Sequence, residues 1–189
     1  TGNGPVTANG IIAVTGTTGI TTDGRDGSIT LKILNHDFGD TISAHGHHVK
    51  LKDVNNIKLG TITGSDGQVK ILAGGAVTQS GPISSVTDTT ITAQSSDTSI
   101  KYNITLNNTS NNFGSRGNSG DELVITGLTV EVIASSAVNM GASTITDTFD
   151  LTAGGAVTDN ANPALAITGA TTINAGSNAV TLDSTNSFS

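Results

Sequence analysis

Cysteine and tryptophan are absent from this chain of 189 residues, and tyrosine and methionine occur once each, as Tyr102 and Met140. Without cysteine there is no disulfide scaffold and no thiolate metal site; the lack also fits a chain exported unfolded. With four Phe and no Trp, the large aromatic anchors of an ordinary globular core are scarce. Glutamate is confined to Glu122 and Glu131, so strong helix formers are few. No window of helical length holds an i, i+3, i+4, i+7 apolar stripe free of Gly or β-branched runs. No apolar run approaches membrane-spanning length, which argues against membrane insertion. The net charge of −7 is spread thinly, and no basic stripe gives nucleic acid an electrostatic footing. No signal-peptide pattern stands at the start, and Thr1-Gly2-Asn3 reads as the middle of a longer secreted sequence.

What remains is Val, Ile, Leu and Ala set among Thr, Ser, Asn and 24 Gly. Side chains branched at Cβ favour strands, and Gly and Asn favour turns, so the chain is expected to be all-β.

The sequence repeats. Leu72-Ala73-Gly74-Gly75-Ala76-Val77-Thr78 returns as Leu151-Thr152-Ala153-Gly154-Gly155-Ala156-Val157-Thr158, each followed by a proline (Pro82, Pro163) and then by Thr-Thr-Ile. Phe38, Phe113 and Phe188 recur at one constant interval, each next to Gly or Ser. Val49-Lys50-Leu51 and Ile57-Lys58-Leu59-Gly60 align with Val130-Glu131-Val132 and Val138-Asn139-Met140-Gly141. These matches define a partial unit 1–38 and units 39–113 and 114–188 of one continuous segment, 1–189. An insertion around Ser115–Leu123, with an enlarged loop at Arg116–Asp121, accounts for the wider spacing of the Gly-Gly landmarks.

Short pieces such as Ser28–Leu31, Val49–Lys52, Gln68–Ile71 and Thr89–Thr92 alternate apolar and polar residues, the period of a strand with one buried face. One inward residue from each piece gives Leu31, Leu51, Ile71, Ile91 and Leu106, a nearly constant return. That spacing predicts a parallel β-helix, or β-solenoid, with about 20 residues per coil and about four coils per 75-residue unit. Ten coils would make a rod of roughly 50 Å. The three Phe are expected to fill one recurring wide place in the coil. Stability would be shared between neighbouring coils, so each copy has the flanking repeats as its first partners. A tandem β-sandwich is the rival architecture, disfavoured by the missing aromatic core.

The runs Asn-His-Asp-Phe-Gly at 35–39, Val-Lys-Leu-Lys-Asp-Val-Asn-Asn-Ile-Lys-Leu-Gly-Thr-Ile-Thr at 49–63 and Ala-Gly-Gly-Ala-Val-Thr-Gln-Ser-Gly-Pro-Ile at 73–83 resemble the repeats of filamentous-haemagglutinin-like bacterial exoproteins, over nearly the whole chain. The resemblance implies a right-handed parallel β-helix, located outside the cell on a Gram-negative surface. It also implies export by two-partner secretion or a related route, and a role in adhesion, biofilm, cell contact or toxin delivery.

Several residue groups invite chemistry. His45-Gly46-His47-His48, with His36 nearby, offers imidazoles for Zn, Cu or Ni, or else a polar turn facing water; no metal is assigned. Thr22-Asp23-Gly24-Arg25-Asp26-Gly27 and Gly64-Ser65-Asp66-Gly67 resemble parts of calcium-binding turns but lack the full nonapeptide, so ordinary turns are expected. Thr61-Ile62-Thr63 and Thr144-Ile145-Thr146 raise ice binding, which needs such a pair on nearly every coil. Only Arg25 and Arg116 are available to a glycan-cleaving carboxylate site, and no nucleophile elbow or phosphate loop is present. No catalytic residue and no cofactor is therefore assigned. The expectation is a structural stalk of a surface adhesin, whose partners are other copies end to end, glycans or cell surfaces. A self-assembling fibre subunit is one alternative, and a glycan-binding or glycan-cleaving module another.

Overall fold

A computed structural model describes residues 3–23, 26–33, 35–114, 120–159 and 165–189. Among them there is no helix, and the strands join one twelve-stranded, one ten-stranded and one two-stranded sheet with parallel pairing throughout. Parallel pairing of short strands that follow one another so closely requires the chain to wind back over itself, and the fold is a β-solenoid of about eight turns.

The first sheet runs through Val6–Thr7, Ile29–Leu31, Val49–Asp53, Val69–Ala73, Thr89–Ala93, Leu123–Gly127, Val138–Met140, Val157–Asp159 and Val180–Thr181. Its registers place Val49 beside Val69 and Val69 beside Thr89, two equal steps along the chain. At roughly 4.8 Å per turn the stack is about 40 Å long. That is shorter than the ten coils expected, because some residues leave the stack. Thr89 pairs with Leu123, a much longer step. Ser84 pairs with Asn112, a step of intermediate length, so part of the excess lies before Asn112 and part after Phe113. The first part is a hairpin closed by the antiparallel bridge Gln94–Lys101, with Thr98 at its tip at φ 62°. The second coincides with the insertion expected at Ser115–Leu123; residues 115–119, most of the enlarged loop, lie outside the described residues.

The alternation read from the sequence becomes an apolar column. Leu31, Leu51, Ile71 and Ile91 stack directly, each at most 2% exposed. Ile125, not Leu106, continues the ladder. Leu106 belongs to the second sheet, where Ile104–Leu106 pairs with Val130–Ala134. Its shorter spacing from Ile91 was a step to a different wall, not a short coil. Each full turn carries three short strands, as in Val49–Asp53, then Ile57–Gly64 bending in its middle to pair with both Val77–Gln79 and Ile83–Ser85. The bend falls at Gly60, where a Cβ would meet the Ser43 hydroxyl.

The sequence unit is not a whole number of turns. Val69–Ala73 lies in the first sheet, yet its counterpart Phe149–Ala153 lies in the second. Likewise Val49–Asp53 is in the first sheet and Val130–Ala134 in the second. One unit occupies between three and four turns, and the next begins on a neighbouring wall.

Candidate functional site

The Gly-Gly landmarks sit at corners where successive turns touch. Gly74 donates its N–H to the Asp53 carbonyl at 3.0 Å, and Gly154 donates to the Ala134 carbonyl at 2.9 Å. A Cβ on Gly74 would lie 2.1 Å from the Val54 carbonyl oxygen, and one on Gly154 would lie 2.3 Å from that of Ser135. Cβ atoms on Gly75 and Gly155 would meet the Asn56 and Ala137 backbone nitrogens at 2.8 and 2.6 Å. Both pairs are therefore fixed by backbone proximity. Pro163 lies outside the described residues.

The three Phe share no common wall. Phe38 pairs with Val14 in the two-stranded sheet, Phe113 with Ser85 in the second sheet, and Phe188 with Ile167 in the first. Phe38 and Phe113 are buried, whereas Phe188 is 47% exposed. The expected single wide place is thus two buried positions and one exposed position on different sheets, as the fractional unit requires.

The histidines separate. His36 is fully buried. Its Nδ1 accepts the Ile12 N–H at 3.0 Å, and its ring stands 5.9 Å from that of Phe38. Burial holds its pKa below 6.5 against the opposing pull of Asp53. Asp53 itself is 1% exposed; it accepts the N–H of Phe38 and of Asn55, each at 2.9 Å, and burial raises its pKa. This His36–Asp53 node ties one turn to the next. His48 Nδ1 accepts the Gln68 N–H at 3.0 Å, and burial, then His47 and Lys50, lower its pKa. His47 faces Asp66 at 3.3 Å and packs edge-on against His48 at 4.5 Å, while His45 is exposed. Among the described residues no group of three or more His, Asp or Glu is disposed to hold a metal ion.

The calcium-like turns are held internally. The Thr22 hydroxyl donates to the Gly27 carbonyl, and Asp66 is turned to His47. Gly24, Arg25 and Arg116 lie outside the described residues. The two Thr-x-Thr segments sit on different sheets, Thr63 beside Ser84 and Thr144 beside Thr126, so they form no common face.

The lysines do what composition alone conceals. Lys50 and Lys70 are register partners on the outer face of the first sheet, and Lys52 is the next outward residue, beside Leu72. With Lys32 they line a depression of ≈ 270 Å³. Lys52 and Leu72 also line a groove of ≈ 430 Å³ that continues to Val54, Gln94 and Ser96 at the foot of the hairpin. Charge that looked thinly spread along the chain is, for four of its six lysines, gathered on one face. The signal was available: Lys50 to Lys70 is the same step as Leu51 to Ile71.

Comparison with protein families finds a match to "Repeats of unknown function (DUF5649)" over residues 1–45, 46–119 and 127–189. No curated protein and no solved structure matches the chain.

Proposed function

We propose, from the premise that the chain belongs to the DUF5649 family of repeats, that it is a structural rod segment of a large secreted or surface-exposed bacterial adhesin or filament. The observation that carries this reading is the stack of parallel-paired turns among the described residues. One apolar column runs through the middle, and the outside is mostly Thr, Ser, Asn and short turns, with the lysines of the first sheet. Such a stack gains length by adding turns, each contacting chiefly its neighbours, which is how a chain builds reach rather than a reaction chamber. The likeness of its 35–39, 49–63 and 73–83 runs to filamentous-haemagglutinin-like exoproteins supports the same reading.

Antibodies raised against this chain, used for immunogold labelling of intact source cells, test it. Label on the outside of unpermeabilised cells, or in fibres shed from them, is expected. Label that appears only after permeabilisation would overturn the proposal.

A further inference from the structure

We infer that the outer face of the first sheet is a docking surface for an acidic polysaccharide, seated on Lys32, Lys50, Lys52 and Lys70 and running into the groove beside the hairpin.

The register makes the charge dense. Lys50 and Lys70 stand side by side, about 4.8 Å apart at the backbone. Lys52 lies two positions further along the same strand and face, about 6.6 Å away. Lys32 follows Leu31, whose partner is Leu51, and so sits next to Lys52. Like charges directly opposed on neighbouring strands destabilise a sheet. No ion pair with these lysines is formed among the described residues; the one carboxylate lining the groove, Asp53 beside Lys52, is buried and already accepts the Phe38 and Asn55 N–H groups. The hairpin's carboxylate, Asp97, is held by the Ser95 and Ser99 hydroxyls and the Ser99 N–H and lines neither depression. In a chain of net charge −7, four cations on one face leave a local positive field that an anionic partner would neutralise.

The groove supplies the rest of the chemistry. Its floor carries Leu72 and the 46%-exposed Val54, suited to the C–H face of a sugar. Gln94 and Asn35 bring amides to its walls, and Ser96 a hydroxyl, suited to sugar hydroxyls. A carboxylate-bearing sugar chain presents all three features together. Nucleic acid fits worse. No aromatic side chain lines either depression, so the unpaired bases of a single strand have no platform. No arginine lines them either, and a polymer with one charge per roughly 1.7 Å is repelled by the acidic remainder of the chain.

The inference rests on the outer faces of the rod being displayed, but its test does not depend on where the protein resides. Titration of the whole chain with alginate, in parallel with alginate whose carboxylates have been reduced to alcohols, reads binding by calorimetry. Alginate is expected to bind, more weakly as salt rises, and the reduced polymer at least roughly tenfold more weakly. The triple variant Lys50→Gln, Lys52→Gln, Lys70→Gln, its fold checked by circular dichroism, is expected to lose about tenfold or more. Lys58→Gln with Lys101→Gln should stay within about twofold, these lysines being outside the patch. Gln94→Ala is expected to weaken alginate while leaving general anion exchange intact. No binding of alginate at low salt overturns the inference, as does equal binding of the reduced polymer or indifference to the triple variant. Tighter binding of duplex DNA or of phosphatidylglycerol vesicles through the same lysines assigns the face to that partner and also overturns it.

Discussion

Replacing Gly74 by alanine would place a methyl group 2.1 Å from the Val54 carbonyl oxygen and 2.8 Å from its carbon. Both obstacles are backbone, which no rotamer change can clear, so the corner must open by about 1 Å. The bonds at stake are Gly74 N–H to the Asp53 carbonyl at 3.0 Å and Ala76 N–H to Asn56 Oδ1 at 2.8 Å. Stretching both beyond bonding distance removes about 1 kcal/mol each. Overpacking strain adds about 1–3 kcal/mol. Gly74→Ala is therefore expected to destabilise the chain by roughly 3–5 kcal/mol. Gly154→Ala, facing the Ser135 carbonyl at 2.3 Å, should behave alike. Gly19→Ala is the control, since a Cβ there meets nothing within 4 Å. Urea unfolding followed by circular dichroism gives the midpoints, and hydrogen exchange at the Gly74 amide localises the damage. A Gly74→Ala protein within about 0.5 kcal/mol of the parent, with an unchanged exchange rate at that amide, would refute the argument that touching turns select these glycines.

Three further outcomes are expected. Ile71→Ala, in the middle of the column, should lower stability by about 2–5 kcal/mol in the same urea assay, because stacked turns above and below limit collapse of the cavity. Asn111→Leu should cost about 2–4 kcal/mol: buried Asn111 accepts the Ile83 N–H at 2.9 Å and donates to the Leu106 and Ile133 carbonyls at 3.1 and 3.0 Å, all of which leucine leaves unpaired. Burial lowers the pKa of His36 and His48 in the folded state, so the unfolded chain takes up protons first as pH falls below 6.5, and stability declines from there toward the folded values. The urea midpoint should thus fall between pH 7 and 5, and His36→Gln with His48→Gln, which keep an acceptor for Ile12 and Gln68, should flatten that fall. Asp53, raised by burial, works in the opposite sense at lower pH.

The solenoid was legible because one physical pattern governs it. Val49-Lys50-Leu51 alternates, and the same alternation returns one coil later at Val69-Lys70-Ile71, so strand type and stacking period came together. Leu106 defeated the pattern because alternation says which residue points inward and is silent about which wall it stands on. The hairpin at 94–101 was also illegible: Ser95-Ser96-Asp97-Thr98-Ser99 looks like any polar turn, and only the register between Ser84 and Asn112 reveals that residues there leave the stack. His45, His47 and His48 were conspicuous by adjacency, yet His45 stands near the end of strand Thr41–Gly46 while His47 and His48 lie in the bend before Val49–Asp53, which left His45 exposed and His48 on the Gln68 N–H. The lysine face required the reverse step. Lys32, Lys50 and Lys70 are distant in sequence and become neighbours only once the turns are stacked.

A unit that fills a fractional number of turns has a consequence for any longer array of such copies. Each copy hands its motifs to the next flank, so like features trace a screw around the axis, as stripes do on a barber's pole. Two rods lying side by side would then meet matching stripes only at intervals, never along a full edge. An array built this way offers contact points in every direction while resisting the lateral zippering into bundles that a flat, perfectly phased face would invite.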